Sequence, residues 1–165
     1  MTKIAIQHRG KNLLIPIKIR KATKRDIPKI FPLFKEVVRE NEKKRILLKK
    51  GGLEPFAHEL INFAFKRSDL IYVAERKGEI VGYLFLYVDA AIRSIKRGWV
   101  FNLGVKEEYR NQGIGKSLMR KAIKFSKDRR ASTVEFLVKK ENKAAIKFYK
   151  DLGFEITFHK MARDI

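Results

Sequence analysis

Residues 109–122 read YRNQGIGKSLMRKA. Gly113 and Gly115 stand one residue apart, with Arg110 before them and an amphipathic run behind them. Glycine at the mouth of a helix lets bare backbone approach another group closely. A helix N-terminus also carries unpaired N–H groups and a partial positive charge. Together these features suit a phosphate. Ile114, Leu118, Ala122 and Phe125 recur at helical spacing after the turn, and residues 99–105, WVFNLGV, read as a strand before it. Strand, glycine turn and helix are thus adjacent, which places the chain among mixed α/β domains.

Two phosphate-binding patterns can be tested on this turn. A P-loop ends in G-K-[ST], which Gly115, Lys116 and Ser117 supply, but its first glycine would fall on Arg110. A dinucleotide fingerprint starts with Gly113-Ile114-Gly115 but needs glycine where Leu118 stands. No acidic residue ends the next strand as a ribose partner. Both patterns fail. The plain alternative is a glycine pair that only makes a tight strand-to-helix turn.

Outward from the turn, residues 3–7 and 14–20 alternate as strands, with HRGKN able to turn between them. Thr23 or Asp26 can cap a helix through Ile27, Ile30, Phe34, Val37 and Val38. Gly51, Gly52 and Pro55 mark 49–55 as a loop, and 56–65 reads as a second helix. Residues 69–75 and 80–88 form a hairpin around RKGE, and 89–98 is a basic loop. After the glycine-turn helix, 132–138 is a strand. Asn142 opens a short helix through Ala145, Phe148 and Leu152, stopped by Gly153. Residues 154–161 are a last strand. No linker or repeat divides the 165 residues, so one domain is expected, with 1–16 as an N-terminal hairpin extension.

Composition narrows the chemistry. The absence of cysteine excludes disulfides and a thiolate nucleophile. His8, His58 and His159 are too scattered in sequence to suggest a metal cluster. No apolar run nears the roughly 20 residues of a membrane span, and MTKIAIQHRGK lacks a signal core. A cytoplasmic protein without metal or membrane partner is expected. The 39 Lys and Arg against 18 Asp and Glu leave a net charge of +21, which attracts polyanions over long range. Nucleic acid is one reading of this excess. A Lys-rich thermophilic surface is the other.

NLGVKEEYRNQGIGKSLM (102–119) followed by ENKAAIKFYKDLGFE (141–155) resembles the GNAT superfamily of acetyl-CoA-dependent N-acetyltransferases. That family's [RQ]-x-x-G-x-[GA] pattern matches Arg110, Asn111, Gln112, Gly113, Ile114 and Gly115. Its second signature, an Asn before a helix bearing F-Y and then G-F, matches Asn142, Phe148-Tyr149 and Gly153-Phe154. The resemblance covers about residues 17–160.

The resemblance implies a mostly antiparallel sheet with one splayed strand pair, flanked by helices. It implies acetyl-CoA as cosubstrate, with its diphosphate on the amides of 112–116 beside Arg110 and Lys116. The pantetheine arm would pair with Leu103, Gly104 and Val105, and Gly104 would mark a bulge or close approach. Val105 N–H would stabilise the oxyanion. Asn142 would hold the arm or simply cap its helix. Tyr149 would protonate the departing thiolate, or only pack beside Phe148. Relatives place a glutamate on the strand before the turn, and none stands in 99–102. Glu135 is then the nearest acidic candidate for the base. Asn102 or a carbonyl holding a water is an alternative, and Glu107 and Glu108 read as surface charges. The acceptor, a protein N-terminus, lysine or small amine, would enter between the N-terminal helices and the loop bearing Arg93, Lys96 and Arg97. Trp99 and Tyr83 would line its pocket or pack in the core. An acidic protein, ribosomal or RNA-associated partner and a homodimer are compatible with the sequence. A non-catalytic module binding coenzyme or nucleic acid on the same fold is the competing reading.

Overall fold

The structure, a computed structural model, describes residues 2–8, 11–41, 58, 59, 62, 66, 70–89 and 95–158, with backbone alone for 2–8, 11–15, 40 and 41. A six-stranded sheet runs β1 (Thr2–His8), β2 (Lys11–Lys21), β3 (Ile71–Arg76), β4 (Glu79–Asp89), β5 (Arg97–Val105) and β6 (Thr133–Glu135), in that spatial order. Every pairing is antiparallel except β5–β6, which is parallel. The long β2 pairs with β1 through its first seven residues and with β3 through its last four. Helix α1 (Ile27–Asn41) covers one face. Helix α2 (Ile114–Asp128) covers the other, and the short α3 (Lys143–Lys150) follows β6.

Alternation along the strands feeds two cores. Ile71, Val73, Tyr83 and Phe85 meet Ile30, Phe34 and Val37 of α1. Tyr72, Ala74, Leu84, Leu86 and Val100 meet Ile114, Leu118, Ala122 and Phe125 of α2. The four apolar positions read from the sequence of α2 are therefore its buried face. The β3–β4 turn is the expected one: Lys77 (φ 48°) and Gly78 (φ 81°) are both left-handed, as a two-residue hairpin turn requires.

One ion-pair network ties α1 to the sheet. Arg20 on β2 donates two hydrogen bonds to Asp26 (2.7 and 2.8 Å) and one to Glu75 on β3 (2.6 Å). Asp26 also accepts from Thr23 N–H and its hydroxyl, at 2.7 and 2.8 Å. The sequence suggested either residue as a cap. They act together, as a box opening the 3-10 turn before α1.

Several expectations need correction. β5 starts at Arg97, two residues before the expected strand, because Arg97–Trp99 finds β6 as a partner. β6 has three residues rather than the seven of 132–138. Of the expected last strand, 154–158 is irregular, and Ile156 and Phe158 are exposed. The rest of that strand lies outside the described residues. So do the 49–55 loop and residues 90–94, including Arg93. Of the expected helix 56–65, only His58, Glu59 and Asn62 are described, and all are helical.

Candidate active site at the open edge of the fifth strand

The site begins with what β5 leaves unpaired. β6 contacts only Arg97–Trp99, so beyond Trp99 the two neighbours part. Lys106 N–H bonds to Val81 of β4 (3.0 Å). In an antiparallel ladder, successive residues turn their amides to opposite sides. The N–H groups of Leu103 and Val105 therefore point at the open edge. The Val105 carbonyl points there too, where Arg110 Nε donates to it at 3.0 Å.

A bulge prepares this edge, but not at Gly104. Phe85 opposes Asn102 while Leu86 opposes Val100, which leaves Phe101 as the extra residue. The bulge reverses which residues face which core. Val100 faces α2 before it, and Leu103 and Val105 do so after it. Gly104 is required for a different reason: a Cβ there would lie 2.4 Å from the Tyr83 ring. Tyr83 is fully buried and its hydroxyl donates to Asn102 Oδ1 (2.8 Å). Tyr83 is thus a core residue, and Asn102 already holds its hydroxyl.

The loop after β5 is pinned to the β3–β4 hairpin. Lys106 Nζ meets Glu79 and Glu108, both at 2.8 Å, and the Tyr109 hydroxyl donates to Glu79 at 2.9 Å. Glu108 is therefore an exposed surface partner, as expected, and Glu107 is exposed as well. The chain then turns through left-handed Asn111 (φ 59°) and Gly113 (φ 75°) into α2. Ser117 N–H bonds to Gly113 O (3.0 Å). The three amides ahead of it, of Ile114, Gly115 and Lys116, precede the first helical acceptor. These donors, the positive helix end and Lys116 make a cradle that a diphosphate fits. Gly115 keeps it open, since a Cβ there would come within 3.2 Å of the Phe148 ring.

A cavity of about 1020 Å³ runs along these parts. Leu103, Gly104, Val105, Arg110, Asn111, Gly113, Ile114, Gly115, Lys116, Asn142, Phe148 and Tyr149 all line it. Gln112 does not; its amide donates to Glu108 O (3.0 Å), and Oε1 is buried without a partner among the described residues. Asn142 Oδ1 accepts from Ala145 N–H (3.0 Å) and so caps α3. At the other end of α3, Gly153 (φ 85°) and Phe154 return their N–H groups to Lys150 and Tyr149. This is the glycine stop expected from the sequence. Sequence reading missed Val37, which brings α1 into the wall, and Ala144 and Ala145. The small pair beside Phe148 on one helix was the available signal.

Tyr149 sits among aromatic rings, 4.2 Å from Phe136 and 5.0 Å from Phe148 between centroids. Burial pushes its phenol up to about 12. Glu135 lies elsewhere. It pairs in register with Trp99, accepts from Thr133 Oγ1 (2.7 Å) and faces Arg97 (3.7 Å). The strand that bears it ends there, so Glu135 stays below the opening and does not line the cavity. Of the expected basic loop, Lys96 precedes β5 and Arg97 opens it.

No helix among the described residues is long and apolar enough to cross a membrane. Residues 34–154 match the model of the acetyltransferase (GNAT) family. The chain is 33% identical over 147 residues to an uncharacterised N-acetyltransferase of Methanocaldococcus jannaschii, covering 87% of this chain and 63% of that protein. It is 35% identical over 92 residues to an N-alpha-acetyltransferase of Sulfurisphaera tokodaii, covering 51% and 55%. The chain thus spans less than two thirds of either relative's length. Its fold matches a Pyrococcus furiosus protein at TM-score 0.76 (22% identity, 91% and 100% covered). It matches an aminoglycoside N-acetyltransferase solved with CoA at 0.72 (16%, 92% and 95%). With both signatures inside the matched segment and the open β5 edge beside them, the chain belongs to the acetyltransferase (GNAT) family.

Proposed function

We propose that the protein transfers an acetyl group from acetyl-CoA to a primary amine by direct attack, with Tyr149 as general acid. One observation carries this reading. A single cavity joins three features: the unbonded amides at the start of α2, the open edge at Leu103 and Val105, and the Tyr149 phenol. Gly113–Lys116 bind the diphosphate, and Arg110 steadies both the loop and the Val105 carbonyl. The pantetheine arm extends the sheet as an added strand. Val105 N–H stabilises the carbonyl oxygen as it gains charge.

The amine nitrogen bonds to the acetyl carbon, the carbon–sulfur bond breaks, and Tyr149 gives its proton to the sulfur. The nitrogen, cationic after attack, loses its second proton to solvent, and solvent reprotonates the phenol. Glu135 takes no part as base, because it is engaged outside the cavity. Solvent removes the amine's proton before attack. An α-amine of pKa about 8 is about a tenth neutral at pH 7, whereas a lysine of pKa about 10.4 is almost wholly charged. The proposed acceptor is therefore an α-amine, as on a protein N-terminus. Val37 supports its entry from the α1 side.

Tyr149→Phe tests the reading. Incubated with acetyl-CoA and a library of peptides, the native protein should add 42-Da groups (the acetyl mass, about 42) to free N-termini, and the variant should turn over about 100-fold more slowly. Unchanged turnover removes Tyr149 from the chemistry. A native protein that binds coenzyme yet modifies no amine overturns the activity.

A further inference from the structure

Tyr83 is a core residue, yet packing alone does not ask for its hydroxyl. Its ring lies 5.9 Å from Phe34 and 5.0 Å from Phe85 between centroids, and both neighbours are plain phenyl groups. A phenol buried this completely costs free energy unless its hydroxyl finds a partner. The partner is Asn102 Oδ1, which accepts from it at 2.8 Å. Asn102 is only half-buried and directly follows Phe101, the extra residue of the bulge. Tyr83 itself stands opposite Gly104, so the phenol reaches diagonally along β5 from Gly104 to Asn102. That path is open because Gly104 has no side chain.

We propose that Tyr83 is a positioning residue for the coenzyme arm: it locks β5 in the register that turns the Leu103 and Val105 N–H groups to the open edge. This role rests on acetyl-CoA being the ligand of the cavity. The bulge decides which amides face which way. If Phe101 joined the ladder, every residue after it would slip by one position against β4. Leu103 and Val105 would then turn their N–H groups toward β4, and those of Asn102 and Gly104 would face the edge instead. The side chains would change faces as well. Tyr83 opposes that slip in two ways. In the slipped register Leu103 would stand opposite Tyr83, where the ring leaves no room for a Cβ. Asn102 would move opposite Leu84, on the other face of the sheet, and its bond to the phenol would be lost. A glycine opposite the ring and an amide two residues before it therefore select one register.

Two variants of the full-length protein separate this role from stability. Tyr83→Phe keeps the ring and removes the hydroxyl. Asn102→Ala removes the acceptor at a half-buried position, and melting curves check that both fold. Each is titrated calorimetrically with coenzyme A and with 3′-phosphoadenosine 5′-diphosphate, the same molecule without its pantetheine arm. The armless probe needs only the Gly113–Lys116 cradle. Coenzyme A should bind either variant about tenfold more weakly than native, while the armless probe stays within about twofold. The double variant should lose no more than either single one, because the two residues share one bond. Equal losses for both probes would make Tyr83 a plain core residue and overturn the proposal. So would undiminished binding of coenzyme A, or additive losses in the double variant. A native protein that binds neither probe overturns the coenzyme reading on which the lock rests.

Discussion

In the proposed reaction the chemistry turns on the phenol of Tyr149, and its surroundings dictate a pH signature. Burial raises its pKa to about 12, so the proton is present throughout the neutral range. The raised value also has a consequence for stability. The unfolded phenol ionises near pH 10 and the folded one does not. Stability is therefore whole below pH 10 and falls between about 10 and 12. Turnover should climb with pH through the acceptor's pKa, near 8 for an α-amine, and stay level to about pH 10. A kcat profile on a peptide acceptor checks this, and a fall setting in below pH 9 would deny Tyr149 the acid role. At Glu135 the expectation is the opposite of importance. Its carboxylate is taken by Thr133 and Arg97, so Glu135→Gln should leave kcat within about twofold, against the 100-fold or greater losses that follow removal of a real acid or base.

At the scale of elements, the Arg20–Asp26–Glu75 network fixes α1 against β2 and β3. Hydrogen bonds from Arg20 hold the Asp26 carboxyl well below the usual carboxylate range. A lowered carboxylate pKa adds stability above the unfolded value of about 3.9 and loses it as pH falls further. Asp26→Asn leaves Arg20 half-partnered and should cost about 3 kcal/mol at neutral pH. Urea melts between pH 6 and 3 should show a flatter acid dependence in the variant. Much of this architecture was legible in the sequence. The α2 stripe, the RKGE hairpin, the glycine turn and the Asn142 cap are all local, within one turn or one helix face. What was not legible is long-range. Nothing near Phe101 in sequence announces a bulge, because the bulge exists only in register with Phe85 and Leu86. The shortness of β6 likewise depends on where β5 turns away. The sequence offered Gly104 as a bulge or close approach, and the group that approaches it is Tyr83, 21 positions away.

The whole molecule holds its cavity between parts of very different sequence position: Val37 of α1, the end of β5, the start of α2 and the Ala144, Ala145, Phe148 and Tyr149 side of α3. A ligand bound there should stabilise the fold as a unit. Coenzyme A at 100 times its Kd should add about 2.7 kcal/mol, read as a raised melting temperature. The most direct measurement is a crystal structure of the protein with coenzyme A. The diphosphate should lie within hydrogen-bond reach of the Gly113–Lys116 amides, the arm along Leu103 and Val105, and the thiol beside Tyr149. Density for the diphosphate anywhere else on the molecule would contradict the account.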